Sequence, residues 1–143
     1  MTLFRQAGLD PQALARLDEL LIERAYAPGE TISHSRTYGD TLYIVIEGTI
    51  DVFNTEGDQI ASLTASDTFG EKQLLEPGET NATLRATTPA RTKELDGAAY
   101  DQFAKEYPES AFALQAVLAR RVLQELKKAQ NNLRLLFETF KAS

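Results

Sequence analysis

A chain of 143 residues, 43% apolar and 25% charged, has the size and make-up of one globular domain with its own core, and is too short for two. Its net charge of −6 opposes a surface built to hold phosphate backbones, so no direct nucleic-acid binding is expected. Zero cysteines exclude disulfides and thiol chemistry and fit a cytoplasmic setting, and the single histidine, His34, cannot alone build a zinc site or an acyl-transfer triad.

The chain opens with Met1-Thr2-Leu3-Phe4-Arg5-Gln6, which lacks the basic and apolar regions of a signal peptide. No apolar run approaches the roughly 18 residues that a membrane helix needs, so no membrane segment is expected. Leu3, Phe4 and Leu9 read as a short docking segment. Asp10 before Pro11 is a helix N-cap with proline at the first helical position. Leu14, Leu17, Leu21 and Ile22 then recur at helical spacing, which predicts a helix through Arg24 and an N-terminal helical segment over 4–24.

From residue 25 to 95 the pattern changes. Short runs of β-branched and aromatic residues alternate with turn residues about every ten positions, the signature of a sandwich, roll or barrel. Turns are expected at Pro28-Gly29-Glu30, Gly39-Asp40, Glu47-Gly48, Glu56-Gly57-Asp58 and Pro77-Gly78-Glu79. Strands are expected over Thr41 to Glu47, Thr49 to Asn54, Gln59 to Leu63, Thr83 to Thr87 and Arg91 to Leu95. Ile50 and Val52 alternate with polar neighbours, as in a sheet with one wet face. Leu42-Tyr43-Ile44-Val45-Ile46 is continuously apolar, which predicts a central strand covered on both sides. His34, within Ser33-His34-Ser35-Arg36, reads as a solvated loop residue.

Residues 96–140 are helical. Asp96 caps a short helix through Phe103, and Pro108 opens a long one reaching about Phe140. Phe112, Leu114, Val117 and Leu118 are expected to pack on the β domain. Val122, Leu126, Ala129, Leu133, Leu136 and Phe140 are spaced 4, 3, 4, 3, 4, a heptad stripe that predicts a homodimer seam. Burial of the stripe within the chain is the other reading, disfavoured because nothing after residue 126 is available to cover it.

The stretch from Asp67 to Leu84 carries the chemistry. A strand end, a glycine at Gly70 and a short helix start together present free backbone amides, an anion-binding arrangement in which Glu71 can also accept from a sugar hydroxyl. A helix cap with no ligand would have the same sequence. No pair of carboxylates is marked out for acid–base work, so no catalytic residue, no metal and no cofactor is assigned.

Gly39-Asp40 and Glu47-Gly48, then Asp67-Thr68-Phe69-Gly70-Glu71, then Asn81-Ala82-Thr83-Leu84, with Pro28-Gly29-Glu30 before them, resemble the cyclic-nucleotide-binding domain family across essentially the whole chain. That resemblance implies an α+β, mainly β fold: a double-stranded β-helix or jelly roll (β-roll) flanked by an N-terminal helix and a long C-terminal helix, all in a single domain over 1–143. It implies a ligand cassette containing Phe69, Gly70, Glu71, Lys72, Thr80, Asn81, Ala82 and Thr83. Within it Glu71 would hold the ribose 2′-hydroxyl, and amides near Gly70, Glu71 and Ala82 would meet the cyclic phosphate. The regulatory ligand would be a cyclic nucleotide, cAMP or cGMP, lidded by the C-terminal helix.

One position departs from the family pattern. Where an arginine neutralises the phosphate, this chain has Thr80, which offers one hydroxyl in place of a charged fork. Lys72 and Gln73 also replace apolar or small residues. Lys72 reads first as a solvated side chain and second as a substitute charge, with Arg36 and Arg85 as further cations. Two functional readings follow: a regulatory sensor with weak or altered ligand binding, or a non-binding roll serving as a dimerisation or protein-interaction module of a larger protein. A roll-type metalloenzyme is disfavoured by the lone histidine. A DNA-binding activator would need a helix-turn-helix, whereas only Lys141-Ala142-Ser143 follow Phe140, so either the protein is expected to act by protein contacts or the chain is a piece of a larger one.

Overall fold

The first two elements are helices. In a computed structural model, which describes residues 2–142 without the side chains of Thr2, Leu136, Phe140, Lys141 and Ala142, helix α1 (Thr2–Ala7) drives Leu3 and Phe4 into the core. Helix α2 (Pro11–Leu20) begins as expected: the Asp10 carboxylate accepts from the Gln12 amide at 3.0 Å, and Pro11 needs no partner for a missing N–H. It ends sooner than its periodicity predicts. Leu21 turns extended, and Ile22 and Arg24 belong to strand β1 (Ile22–Tyr26). The cause is tertiary, because β1 pairs antiparallel with β10 (Ala90–Leu95), in register Ile22 to Glu94 and Tyr26 to Ala90. That ladder outweighs a helical stripe that Leu21 and Ile22 would merely prolong. The roll therefore begins at residue 22 and not at 25.

The remaining strands are β2 (Thr31–Ser33), β3 (Tyr38–Gly39), β4 (Leu42–Glu47), β5 (Ile50–Phe53), β6 (Gln59–Leu63), β7 (Thr68–Phe69), β8 (Gly78–Glu79) and β9 (Thr83–Ala86). They form two four-stranded antiparallel sheets, ordered β1-β10-β4-β7 and β2-β9-β5-β6, with a small ribbon of β3 and β8 beside them. Two expected turns are thus a paired ribbon, since Gly39 of Gly39-Asp40 lies opposite Gly78 of Pro77-Gly78-Glu79. Strand β4 is interior and covered twice. Leu42 and Ile44 face a core shared with the helices, whereas Val45 faces a second core between the sheets, with Ile50, Val52, Leu84, Ala86 and Ala90.

After β10 the Asp96 carboxylate accepts from the Ala99 amide at 2.8 Å and starts helix α4 (Gly97–Glu106), one turn longer than expected. Helix α5 (Pro108–Ala142) follows. Ala111, Leu114 and Leu118 form its inward face with Val117, and Phe103 of α4 packs with them. Phe112, expected on that face, is 74% exposed. At about 100° per residue it points well away from its buried neighbour Ala111. The α+β class and the β-roll flanked by helices stand as expected.

Candidate functional site

A helix of five residues sets the floor of the site. Chain leaving β7 turns at Gly70, whose φ of 94° lies in the left-handed region, and enters α3 (Glu71–Leu75). A Cβ at Gly70 would collide with the Thr41 carbonyl oxygen, so the backbone approaches β4 only because this residue is glycine. Helix α3 is too short to gather much of a macrodipole, so the anion attraction expected of its start reduces to a few free amides.

The turn seats Glu71 inward. The residue is 8% exposed, and its Oε1 is, among the described residues, the one buried side-chain polar atom with no hydrogen-bond partner. Buried polar groups are nearly always paired, so a buried carboxylate oxygen with no partner, on a residue that lines a cavity, marks a place for a donor.

That cavity has a volume of about 310 Å³, at the small end of small-molecule pockets. Seven of the eight expected cassette residues line it: Phe69, Gly70, Glu71, Lys72, Thr80, Asn81 and Ala82. Thr83 does not. Its hydroxyl accepts from the Ser35 amide at 3.0 Å, which ties β9 to the loop before β3. Thr80 is buried and already committed: its hydroxyl donates to the His34 carbonyl at 2.8 Å, and its backbone bonds with Thr37 and Arg36. Its methyl fills the space that a Cβ on Gly39 would need. His34 is exposed, as expected of a loop residue, and contributes its carbonyl to the site's support.

Several lining residues were not anticipated. Ser33 comes from β2, Thr41 from the residue before β4, Tyr43 from β4, and Val122, Glu125 and Leu126 from α5. Tyr43 brings a hydroxyl from the otherwise apolar run of Leu42 to Ile46. Burial raises its pKa above the usual tyrosine value, the nearby Glu94 adds to that effect, and the hydroxyl stays a neutral donor near pH 7. From α5, Val122 and Leu126, both on the heptad stripe that predicts a dimer seam, touch the cavity.

The cations distribute unevenly. Lys72 is exposed and lines the cavity, Arg85 stacks over the Phe53 ring, 5.2 Å from its centre, and Arg36 is exposed on the loop that clasps Thr80. Arg121 of α5 turns the other way, donating to Thr68 Oγ1 and Gln6 Oε1 at 3.0 and 3.1 Å across an open cleft that Glu71 also borders. No group of three or more His, Cys, Asp or Glu suited to a metal occurs among the described residues, and no described helix is long and apolar enough to cross a membrane.

Comparison with known proteins agrees with this geometry. The cyclic nucleotide-binding domain profile matches residues 23–107. The CRP-like cAMP-activated global transcriptional regulator of Mycobacterium tuberculosis is 31% identical over 88% of this chain, which spans 56% of that protein. Among solved structures, the N-terminal domain of a transcriptional regulator from Streptomyces coelicolor is 31% identical, with a TM-score of 0.74 over 83% of this chain and 88% of that one. The Thermus thermophilus catabolite activator protein is 30% identical, with a TM-score of 0.73 over 90% of this chain and 61% of that one. A roll that presents a buried glutamate from a Phe-Gly-Glu turn under a long helix, together with a profile match over most of the roll, makes this chain a member of the cyclic nucleotide-binding domain family.

Proposed function

We propose that this chain is a regulatory sensor domain, not an enzyme, which holds a nucleotide-sized ligand between the cassette and α5 and reports occupancy through that helix. The observation that carries the reading is the shared wall: Glu71 and its neighbours line one side of the cavity, and Val122, Glu125 and Leu126 of α5 line another. A ligand touching both shifts the position or order of α5 by its differential affinity for the two arrangements. The regulators that resemble this chain support a non-catalytic role, and the zero cysteines and acidic charge support a cytoplasmic site of action without direct nucleic-acid contact.

Binding of cAMP or cGMP is weak in this reading, because Thr80 stands where a cationic fork would meet the phosphate. A hydrogen bond to a charged group contributes about 1.5–3 kcal/mol, so the loss of two weakens binding about a hundredfold or more. Calorimetric titration with both nucleotides tests this. Dissociation constants well above micromolar are expected, and Thr80→Arg is expected to tighten binding at least tenfold. Submicromolar binding by the unmodified chain would overturn the weak-binding reading.

A second feature favours an assembly role alongside sensing. Leu126 and Leu133 of α5 are 53% and 67% exposed, and a homodimer through this helix would cover them.

A further inference from the structure

The side chains that line the cavity carry the wrong charge for an anion, and the cations Arg120, Arg121 and Lys128 lie on the open cleft at the other side of Glu71. Thr80 has no charge, and its hydroxyl hydrogen is spent on the His34 carbonyl. Glu71 and Glu125 bring two carboxylates to the cavity wall against one ammonium, that of exposed Lys72. Arg121 of α5 donates to Thr68 and Gln6 on that cleft and does not line the cavity. Meanwhile the buried Glu71 Oε1 has no donor, while Phe69 and Leu126 supply apolar walls.

We infer that this site selects an uncharged ligand with hydroxyl donors on a flat apolar ring system, a nucleoside in preference to a cyclic nucleotide. This inference rests on the reading of the cavity as a sensor site. A ribose hydroxyl gives the orphaned Glu71 oxygen its missing donor, and a charged acceptor makes that bond stronger than a neutral pair. The ring system packs against Phe69 and the α5 side chains. A phosphodiester in the same place would bring a third negative charge beside two carboxylates, with no arginine to meet it and with desolvation to overcome. The free amides at the start of α3 are too few to reverse that balance. Glu71 therefore acts as a selectivity filter as well as an anchor: it attracts hydroxyl donors and repels anions.

The test is a calorimetric titration of the full chain with four probes: adenosine, guanosine, cAMP and cGMP. At least one nucleoside is expected to bind tenfold or more tighter than its cyclic phosphate. With Glu71→Gln, whose side chain is neutral and nearly isosteric, nucleoside affinity is expected to fall at least fivefold while cyclic-nucleotide affinity holds or rises. A cyclic nucleotide binding as tightly as its nucleoside would overturn this inference and leave the sensor reading standing. No heat from any of the four probes at millimolar concentration would overturn both. A Glu71→Gln variant that weakens nucleosides and cyclic nucleotides by the same factor would also overturn it, because the carboxylate would then not discriminate by charge.

Discussion

Two residues, Gly70 and Gly39, set the shape of the cavity by what they lack. Gly70 holds a φ of 94°, and a methyl there would meet the Thr41 carbonyl oxygen, so backbone strain and a collision add at one position. Gly70→Ala is expected to cost roughly 2 kcal/mol or more in a urea melt. Gly78→Ala, with nothing within 4 Å of its added Cβ, is expected to stay within about 0.5 kcal/mol. Equal costs at the two sites would refute the steric account. Gly39 lies in ordinary φ space, and its constraint is the Thr80 methyl packed against it. The same contact holds Thr80 in the cavity wall, where its hydroxyl is bonded to the His34 carbonyl.

At the level of elements, strands β1 and β10 are joined by more than their backbone ladder. The Tyr26 hydroxyl donates to Glu94, which also accepts from Thr92 and pairs with Arg24. Burial, and then the Glu94 carboxylate, raise the Tyr26 pKa well above the ordinary tyrosine value. A raised folded-state pKa contributes stability that is complete below the unfolded value, near 10, and is lost as pH rises toward the folded one. Tyr26→Phe is therefore expected to cost about 1 kcal/mol at pH 8 and to flatten the fall in melting temperature between pH 8 and pH 11. An unchanged alkaline slope would show that this bond carries none of the loss. This pair also marks the limit of what the amino-acid sequence discloses. Strands β4, β5, β6, β9 and β10 are legible because each carries its own alternation or apolar run. Strand β1 is not, because Leu21 and Ile22 continue a helical stripe, and only pairing with residues some seventy positions later makes Ile22 the start of a strand. Strands β3, β7 and β8 have two residues each and no period to read. The site divides in the same way. Its cassette lies in two short runs, residues 69–72 and 80–83, legible in the chain except that Thr83 does not line the cavity, whereas Ser33, Tyr43 and Glu125 reach it only through the winding of the roll and the return of α5.

At the scale of the whole molecule, α5 presents a row of exposed apolar side chains. Phe112, Leu123, Leu126, Leu133 and Phe137 are all exposed, and with Ala116, Ala119 and Gln130 between them they fall on one 4-3 repeat. This row shares Leu126 and Leu133 with the stripe expected from sequence. It replaces Val122, which is half-buried at the cavity wall, with Leu123; Leu136 and Phe140 lie outside the described side chains. A second copy of the chain suits such a row, because a two-fold pairing counts each leucine twice and full burial of one contributes roughly 1.5–3 kcal/mol. The chain is therefore expected to be a dimer at micromolar concentration by light scattering. Leu133→Asp places two carboxylates in the seam and is expected to give a monomer. Because Leu133 is 67% exposed within one chain, its loss should leave the thermal melt of the roll nearly unchanged. Burial within the chain predicts the reverse: an unchanged mass and a lowered melting temperature. Val122→Ala completes the separation, since a residue at the cavity wall should alter ligand affinity and leave the mass alone. A monomeric wild-type chain at high concentration would remove the dimer from the account, and α5 would then act on its ligand from one side only.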